Sequence, residues 1–271
     1  MRCLAIIESY YRDLTKSEKK VADYVAEAGE KVIYMSLQEM TQDIGVGEAT
    51  VIRFCKKIGF QGFQDFKMEL AKEDFSVKYE SFDNYLEEIA FNYTEIINRT
   101  MKLIESDKVD CFTQKALEAN KMYIYGVGAS GIAAKEAEAS FLRMGIDAKA
   151  ILDPHYQAMN SAIAQEDSLI LAFSLSGTTK DIYDALSIAK ENGVYIVSIT
   201  NYPLSPIGKL SDLVFTTARK ESIMEGGSLS AKISQLYVID ILTTAYSLRD
   251  KERALDVKTK VAKSIMDKSI E

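Results

Sequence analysis

Residues 168–181 read Ser168-Leu-Ile-Leu-Ala-Phe-Ser174-Leu-Ser176-Gly177-Thr178-Thr179-Lys180-Asp181, and the two halves ask for different backbones. Leu169 to Phe173 is an unbroken apolar run, which suits a strand covered on both faces, as in a parallel sheet between helices. Ser174 to Thr179 is a hydroxyl-rich loop around one glycine, and Asp181–Lys190 follows with helical spacing. A strand passing through such a loop into a helix N-terminus gathers backbone N–H groups, hydroxyls and the positive end of a helix dipole at one spot. An anion, most simply a phosphate, is the expected guest there. An ordinary N-cap uses the same residue types, but a second loop upstream favours the anion.

Outward from this stretch, strand-like and helix-like segments alternate. Met122–Tyr125, Ala148–Leu152, Tyr195–Thr200 and Leu213–Thr217 read as further strands, and Ser130–Met144, Tyr156–Ala164 and Ser230–Leu248 as further helices. Five βα repeats predict a doubly wound α/β domain with a five-stranded parallel sheet and its ligand at the carboxyl ends of the strands. The first strand runs into Gly126-Val-Gly128-Ala-Ser130-Gly131, spelled G-x-G-x-x-G, with Asp147 or Asp153 at the distance of a ribose-binding acid. A dinucleotide site is therefore the rival reading. Ser130 within this loop and the second hydroxyl-rich loop at Ser174–Thr179 weigh against it. Two small polar cradles suit a compact phosphorylated ligand better than an extended dinucleotide.

The first 80 residues have a different grain. Thr15-Lys-Ser-Glu18 and Ser36-Leu-Gln-Glu39 are capping boxes, opening helices that stop at Gly29 and Gly45. A Gly45-Val-Gly47 turn leads into a third helix, Glu48 to Ile58, with Val51, Phe54, Cys55 and Ile58 inward and Thr50, Arg53 and Lys57 sharing the opposite face. Two short helices around a tight glycine turn form a helix-turn-helix pattern. Arg53, Lys56, Lys57 and Lys67 make a local basic patch in a chain of net charge −7. That charge gives no general attraction for nucleic acid, so DNA contact must come from such a patch. A helical bundle with a solvated charged face is the plain alternative.

The motifs Leu14-Thr-Lys-Ser-Glu18, Ser36-Leu-Gln-Glu-Met40, Glu48-Ala-Thr-Val-Ile-Arg-Phe54 and Gly59-Phe-Gln-Gly-Phe-Gln-Asp-Phe-Lys67 occur in order. Together they resemble the N-terminal domain of RpiR-type transcriptional regulators over about residues 1–77. Gly47 departs from the pattern, where a serine usually caps the recognition helix. The loops Gly126-x-Gly-x-Ser130 and Ser174-x-Ser-Gly-x-Thr179, with Glu225-Gly-Gly-Ser-Leu-Ser230-Ala-Lys232, are similar to the SIS (sugar isomerase) domain over about residues 105–247. The resemblance implies an all-α helix-turn-helix domain followed by a SIS-like α/β domain. It implies DNA contacts among Glu48, Thr50, Arg53, Lys56, Lys57 and Lys67. It also implies a phosphosugar held by Gly128, Ser130, Ser174, Ser176, Gly177 and Thr179, with Glu225 and Ser230 approaching the sugar ring.

The expected organisation is a DNA-binding domain over 1–77, a linker and connecting helix over 78–105, a SIS domain over 106–249 and a charged helical tail over 250–271. The single histidine, His155, follows the second strand and reads as structural. Glu225 alone is a plausible base and no well-placed acid accompanies it, so binding rather than isomerisation is expected; a phosphosugar isomerase with an accessory helical domain is the alternative. Cys3, Cys55 and Cys111 form no pairing framework or metal spacing, and neither metal nor cofactor is expected. There is no apolar run of about 18 residues, and Met1-Arg-Cys-Leu-Ala-Ile-Ile-Glu is too short an apolar stretch for a signal peptide. The expectation is a cytoplasmic homodimer or homotetramer whose partners are operator DNA and a sugar phosphate.

Overall fold

A computed structural model describes residues 2–29, 31–72, 84–218 and 229–266. The chain forms two compact units, Met1–Leu103 and Ile104–Glu271.

The first unit is helical: α1 (Arg2–Tyr10), a 3-10 turn at Tyr11–Asp13, α2 (Lys16–Ala28), α3 (Lys31–Tyr34), α4 (Leu37–Ile44), α5 (Glu48–Lys57), α6 (Phe63–Leu70) and α7 (Tyr85–Leu103). Both capping boxes form reciprocally, Thr15 with Glu18 on α2 and Ser36 with Glu39 on α4. The core collects Val21, Val25, Met40, Val51, Phe54, Cys55, Phe66 and Leu70, and Phe66 meets Phe54 and Phe60 edge-on. Gly45 takes the left-handed conformation (φ 71°) that ends α4. Its N–H and that of Val46 both bond to the Thr41 carbonyl, which makes the turn before α5 tight. The helix read from the sequence as a connector is α7, and it packs on α1, where Arg99 pairs with Glu8.

The second unit opens with α8 (Ser106–Glu118) and continues as β1 (Lys121–Gly126), α9 (Ala129–Arg143), β2 (Ala148–Ile151), α10 (Pro154–Ile163), β3 (Ser168–Phe173), α11 (Lys180–Glu191), β4 (Tyr195–Thr200), α12 (Pro206–Leu210), β5 (Leu213–Thr216), α13 (Leu229–Arg249) and α14 (Lys251–Ile265). All strands pair in parallel in the order β2-β1-β3-β4-β5. The central strand is β3, buried at all six positions, as its unbroken apolar run requires. Phe112 of α8, Phe141 of α9 and Val238 and Leu242 of α13 fill the core on one face. Ile182 and Leu186 of α11 and Ile207 of α12 join Tyr125 and Ile170 on the other. The short helix α12 is absent from the sequence reading. Its start is encoded plainly, since the Ser205 hydroxyl accepts the Gly208 N–H (3.2 Å) and Pro206 occupies the first turn. Among the described residues no helix is long and apolar enough to cross a membrane.

Candidate functional site

The sheet order reverses between β1 and β3, which are neighbours although β2 lies between them in sequence. From this switch point the chain leaves β1 toward α9 on one face and β3 toward α11 on the other, so a crevice opens at the carboxyl ends of these strands. Gly126 and Phe173 are register partners. The two polar loops therefore start side by side.

The first loop needs its glycines. A Cβ on Gly126 would fall 2.6 Å from the Ser130 carbonyl, and Gly128, which caps α9 without a side chain, has φ 55°. Ser130 stands half-buried in the first turn of α9, where its Oγ accepts a hydrogen bond from Gln235 Nε2 at 3.2 Å. In the second loop Ser174 is buried with Oγ 3.1 Å from Thr179 Oγ1. The Ser176 hydroxyl accepts from the Thr178 N–H (3.3 Å) and hydroxyl (3.1 Å). Gly177 (φ 63°) donates its N–H to the Ser174 carbonyl at 2.9 Å and accepts the Ile207 N–H at 3.1 Å. Thr179 is the N-cap of α11 but makes no side-chain cap bond, so the first-turn N–H groups of that helix keep their capacity to donate. Gly128, Ser130, Ser174, Ser176, Gly177 and Thr179 are thus assembled at one end of the sheet, with two helix N-termini beside them. Glu225 lies outside the described residues; Ser230 sits in the first turn of α13, and its side chain is outside them too. His155 is exposed in the first turn of α10.

Two buried glutamines that the sequence did not single out for a role brace the first loop. Gln157 of α10 donates through Nε2 to the Ile151 carbonyl (2.7 Å) and the Gly126 carbonyl (3.4 Å), while Gln235 comes from α13 on the other face. Full burial of a polar side chain is the signal that marks them, and each has a second buried polar residue on its helix, Ser161 on α10 and Ser234 on α13.

In the first unit the predicted DNA-facing set divides. Glu48, Arg53 and Lys56 are exposed on α5, but Thr50 is buried, 8% exposed, with the Arg53 guanidinium donating to its Oγ1 at 3.4 Å. Lys57 Nζ donates to the Asp13 carbonyl (2.6 Å) and to Glu18 Oε2 (3.0 Å). Lys67 Nζ donates to the Met35 carbonyl (2.6 Å) and lies 5.5 Å from the Phe63 ring centre. The expected outer face of Thr50, Arg53 and Lys57 is corrected accordingly. Because α2 packs along the Lys57 flank, the exposed stripe runs through Ala49, Arg53 and Lys56, at i, i+4 and i+7.

A helix-turn-helix unit carrying an exposed cationic stripe, joined to an α/β unit with a phosphate-suited crevice, defines a ligand-sensing transcriptional regulator. Residues 1–76 match the helix-turn-helix domain of the rpiR family, and residues 117–245 match the SIS domain. The chain is 36% identical over 264 residues to an HTH-type transcriptional regulator of Clostridium perfringens, covering 93% of this chain and 95% of that one. It is 26% identical over 252 residues to RpiR of Escherichia coli K12, covering 89% and 84%. Among solved structures, Vibrio vulnificus NanR complexed with ManNAc-6P matches with a TM-score of 0.67 at 26% identity, covering 99% of this chain and 100% of that one. The sugar isomerase domain of an RpiR transcription factor from Sphaerobacter thermophilus shares the fold, with a TM-score of 0.61 at 22% identity, covering 66% and 98%. The chain belongs to the rpiR family of HTH-type transcriptional regulators, with a SIS domain following its helix-turn-helix domain.

Proposed function

We propose that the chain binds operator DNA through Arg53 and Lys56 of α5, with Glu48 at the start of that helix, and that a sugar phosphate in the β1/β3 crevice sets its affinity for DNA. The observation that carries the effector side is the pair of loops at the switch point. Both are rich in N–H and hydroxyl donors, and each opens a helix N-terminus that no side chain caps. Ser130, Ser174, Ser176 and Thr179, with the backbone at Gly128 and Gly177, hold the phosphate. Glu225 and Ser230 approach the sugar.

The protein acts by binding rather than turnover. Isomerisation needs a positioned base and an acid, and the two described loops offer hydroxyls and amides. We assign it to the cytoplasm, working as a homodimer or homotetramer on a palindromic operator, with 1–77 as the reading head, 78–105 as connection, 106–249 as sensor and 250–271 as tail. Half-sites about 34 Å apart make DNA affinity sensitive to the relative placement of two heads, and ligand shifts that placement according to which state it binds better.

The test is a thermal-shift screen of sugar phosphates, beginning with amino-sugar 6-phosphates because NanR is complexed with ManNAc-6P. Operator binding is then measured with and without the stabilising compound. Turnover of that compound by the wild type, abolished in Glu225→Gln, would establish the isomerase reading instead. Stabilisation by NADH and by no sugar phosphate would establish the dinucleotide one.

A further inference from the structure

The crevice is braced from behind by a side chain that costs the fold something to keep. Gln235 is fully buried on α13, and its Oε1 has no hydrogen-bond partner among the described residues. An apolar side chain of the same shape would spare that buried carbonyl, so packing does not account for an amide here. Its Nε2 does have a partner, the Ser130 hydroxyl, at 3.2 Å.

That contact decides what Ser130 can do. A serine hydroxyl has one proton and two acceptor lone pairs. Since Oγ accepts from Gln235, the proton is left for another acceptor, and Ser130 stands in the first turn of a helix whose N-terminus opens on the crevice. Accepting one hydrogen bond also polarises the O–H and strengthens the bond it donates. A hydroxyl without this partner is free to rotate and to present a lone pair to an anion, which repels it.

We propose that Gln235 is a positioning residue for phosphate recognition: it fixes the Ser130 hydroxyl as a donor to the anion bound between the β1 and β3 loops. The assignment rests on the reading of that crevice as a phosphate site.

The experiment titrates inorganic phosphate into the full chain and follows the backbone amide resonances of Gly128 and Gly177. Four proteins are compared: wild type, Gln235→Leu, Ser130→Ala and the double variant. Gln235→Leu should raise the phosphate Kd by roughly five- to tenfold, less than the loss of a whole hydrogen bond to a charged group because the Ser130 hydroxyl is freed rather than removed. In the Ser130→Ala background the same substitution should change Kd by less than about twofold, because the interaction no longer exists. An equal loss in both backgrounds would make Gln235 a packing residue and overturn the proposal, as would no loss in either. If phosphate moves neither resonance in the wild type, the crevice reading itself falls, an outcome distinct from a missing coupling. Should Gln235→Leu not fold, Gln235→Met, which keeps the length and removes the amide, carries the same comparison.

Discussion

Lys57, in the last turn of α5, reaches back to the first turn of α2, where its Nζ lies 3.0 Å from Glu18 Oε2 and 2.6 Å from the Asp13 carbonyl. The same carboxylate oxygen accepts the Thr15 N–H at 2.8 Å and so closes the capping box. One buried carboxylate therefore caps α2 and anchors α5. A cation that helical spacing assigns to DNA is a strut between helices.

Lys57→Met leaves Glu18, 5% exposed, without its counter-charge. Because the Lys57 side chain is itself 29% exposed, the cost is set at about 1–3 kcal/mol of stability rather than the larger loss of a fully buried pair. Urea denaturation reads it. DNA binding by the folded fraction should keep its salt dependence. Lys56→Ala should do the reverse, leaving stability within about 0.5 kcal/mol and flattening the slope of log K against log salt by about one.

Arg53 is the exposed guanidinium at the middle of α5. If it reads a base edge, Arg53→Ala should weaken operator binding by about 1–3 kcal/mol and relax sequence preference at that position, with much less effect on random DNA. Equal weakening on both DNAs would reassign it to a phosphate.

Burial alone would raise the Glu18 carboxyl pKa, but the Thr15 N–H and hydroxyl and the Lys57 ammonium outweigh it and hold the group below the usual range. The folded value is the depressed one. The carboxylate's contribution is therefore present above the unfolded value of about 4.3 and disappears as pH falls through the lower folded value. Glu18→Gln should be less stable than wild type at pH 7, and the gap in urea midpoints should close as pH falls through and below the usual carboxylate range. A gap that stays constant over that range would mean the charge contributes nothing.

What could be read from sequence follows the range of the interaction. The capping boxes at Thr15 and Ser36 and the apolar run Leu169–Phe173 of β3 are local, and they appear where the pattern puts them. Helical spacing says that Thr50, Arg53 and Lys57 share a side; it does not say whether a neighbour covers that side. Lys57 finds its partner in Glu18, 39 residues earlier, and Ser130 finds Gln235, 105 residues later. Neither pairing leaves a periodic trace. Ser205-Pro206 does mark the start of α12, but five residues carry too little periodicity to announce a helix.

Gly177 tests whether the second loop depends on its backbone. A Cβ there would sit 1.9 Å from Ser205 Oγ, at a φ of 63° that side chains disfavour. Gly177→Ala must therefore displace both the loop and the N-cap of α12. The expected outcome is loss of effector binding together with about 1–3 kcal/mol of stability, read by calorimetry and urea melts. A fully stable variant that still binds would show that the loop is more plastic than this geometry allows.

The phosphate site itself is tested by Ser176→Ala with Thr179→Ala. Neither hydroxyl is needed to start α11, because Thr179 makes no side-chain cap bond and meets Ser174 within the loop, while Ser176 bonds to Thr178. The fold should therefore persist, with urea midpoints close to wild type. Hydrogen bonds to a charged group contribute roughly 1.5–3 kcal/mol each, so losing two should weaken sugar-phosphate binding about a hundredfold or more. The dephosphorylated sugar should bind poorly even to the wild type, since the helix dipoles and N–H groups then have no anion to meet. DNA supplies the internal control. The double variant keeps Arg53 and Lys56, so it should bind operator as the wild type does and fail to respond to the sugar phosphate. If calorimetry found the variant binding the sugar phosphate at wild-type affinity, the anion would have to lie away from the β3 loop, and the crevice at the β1/β3 switch point would lose its assignment.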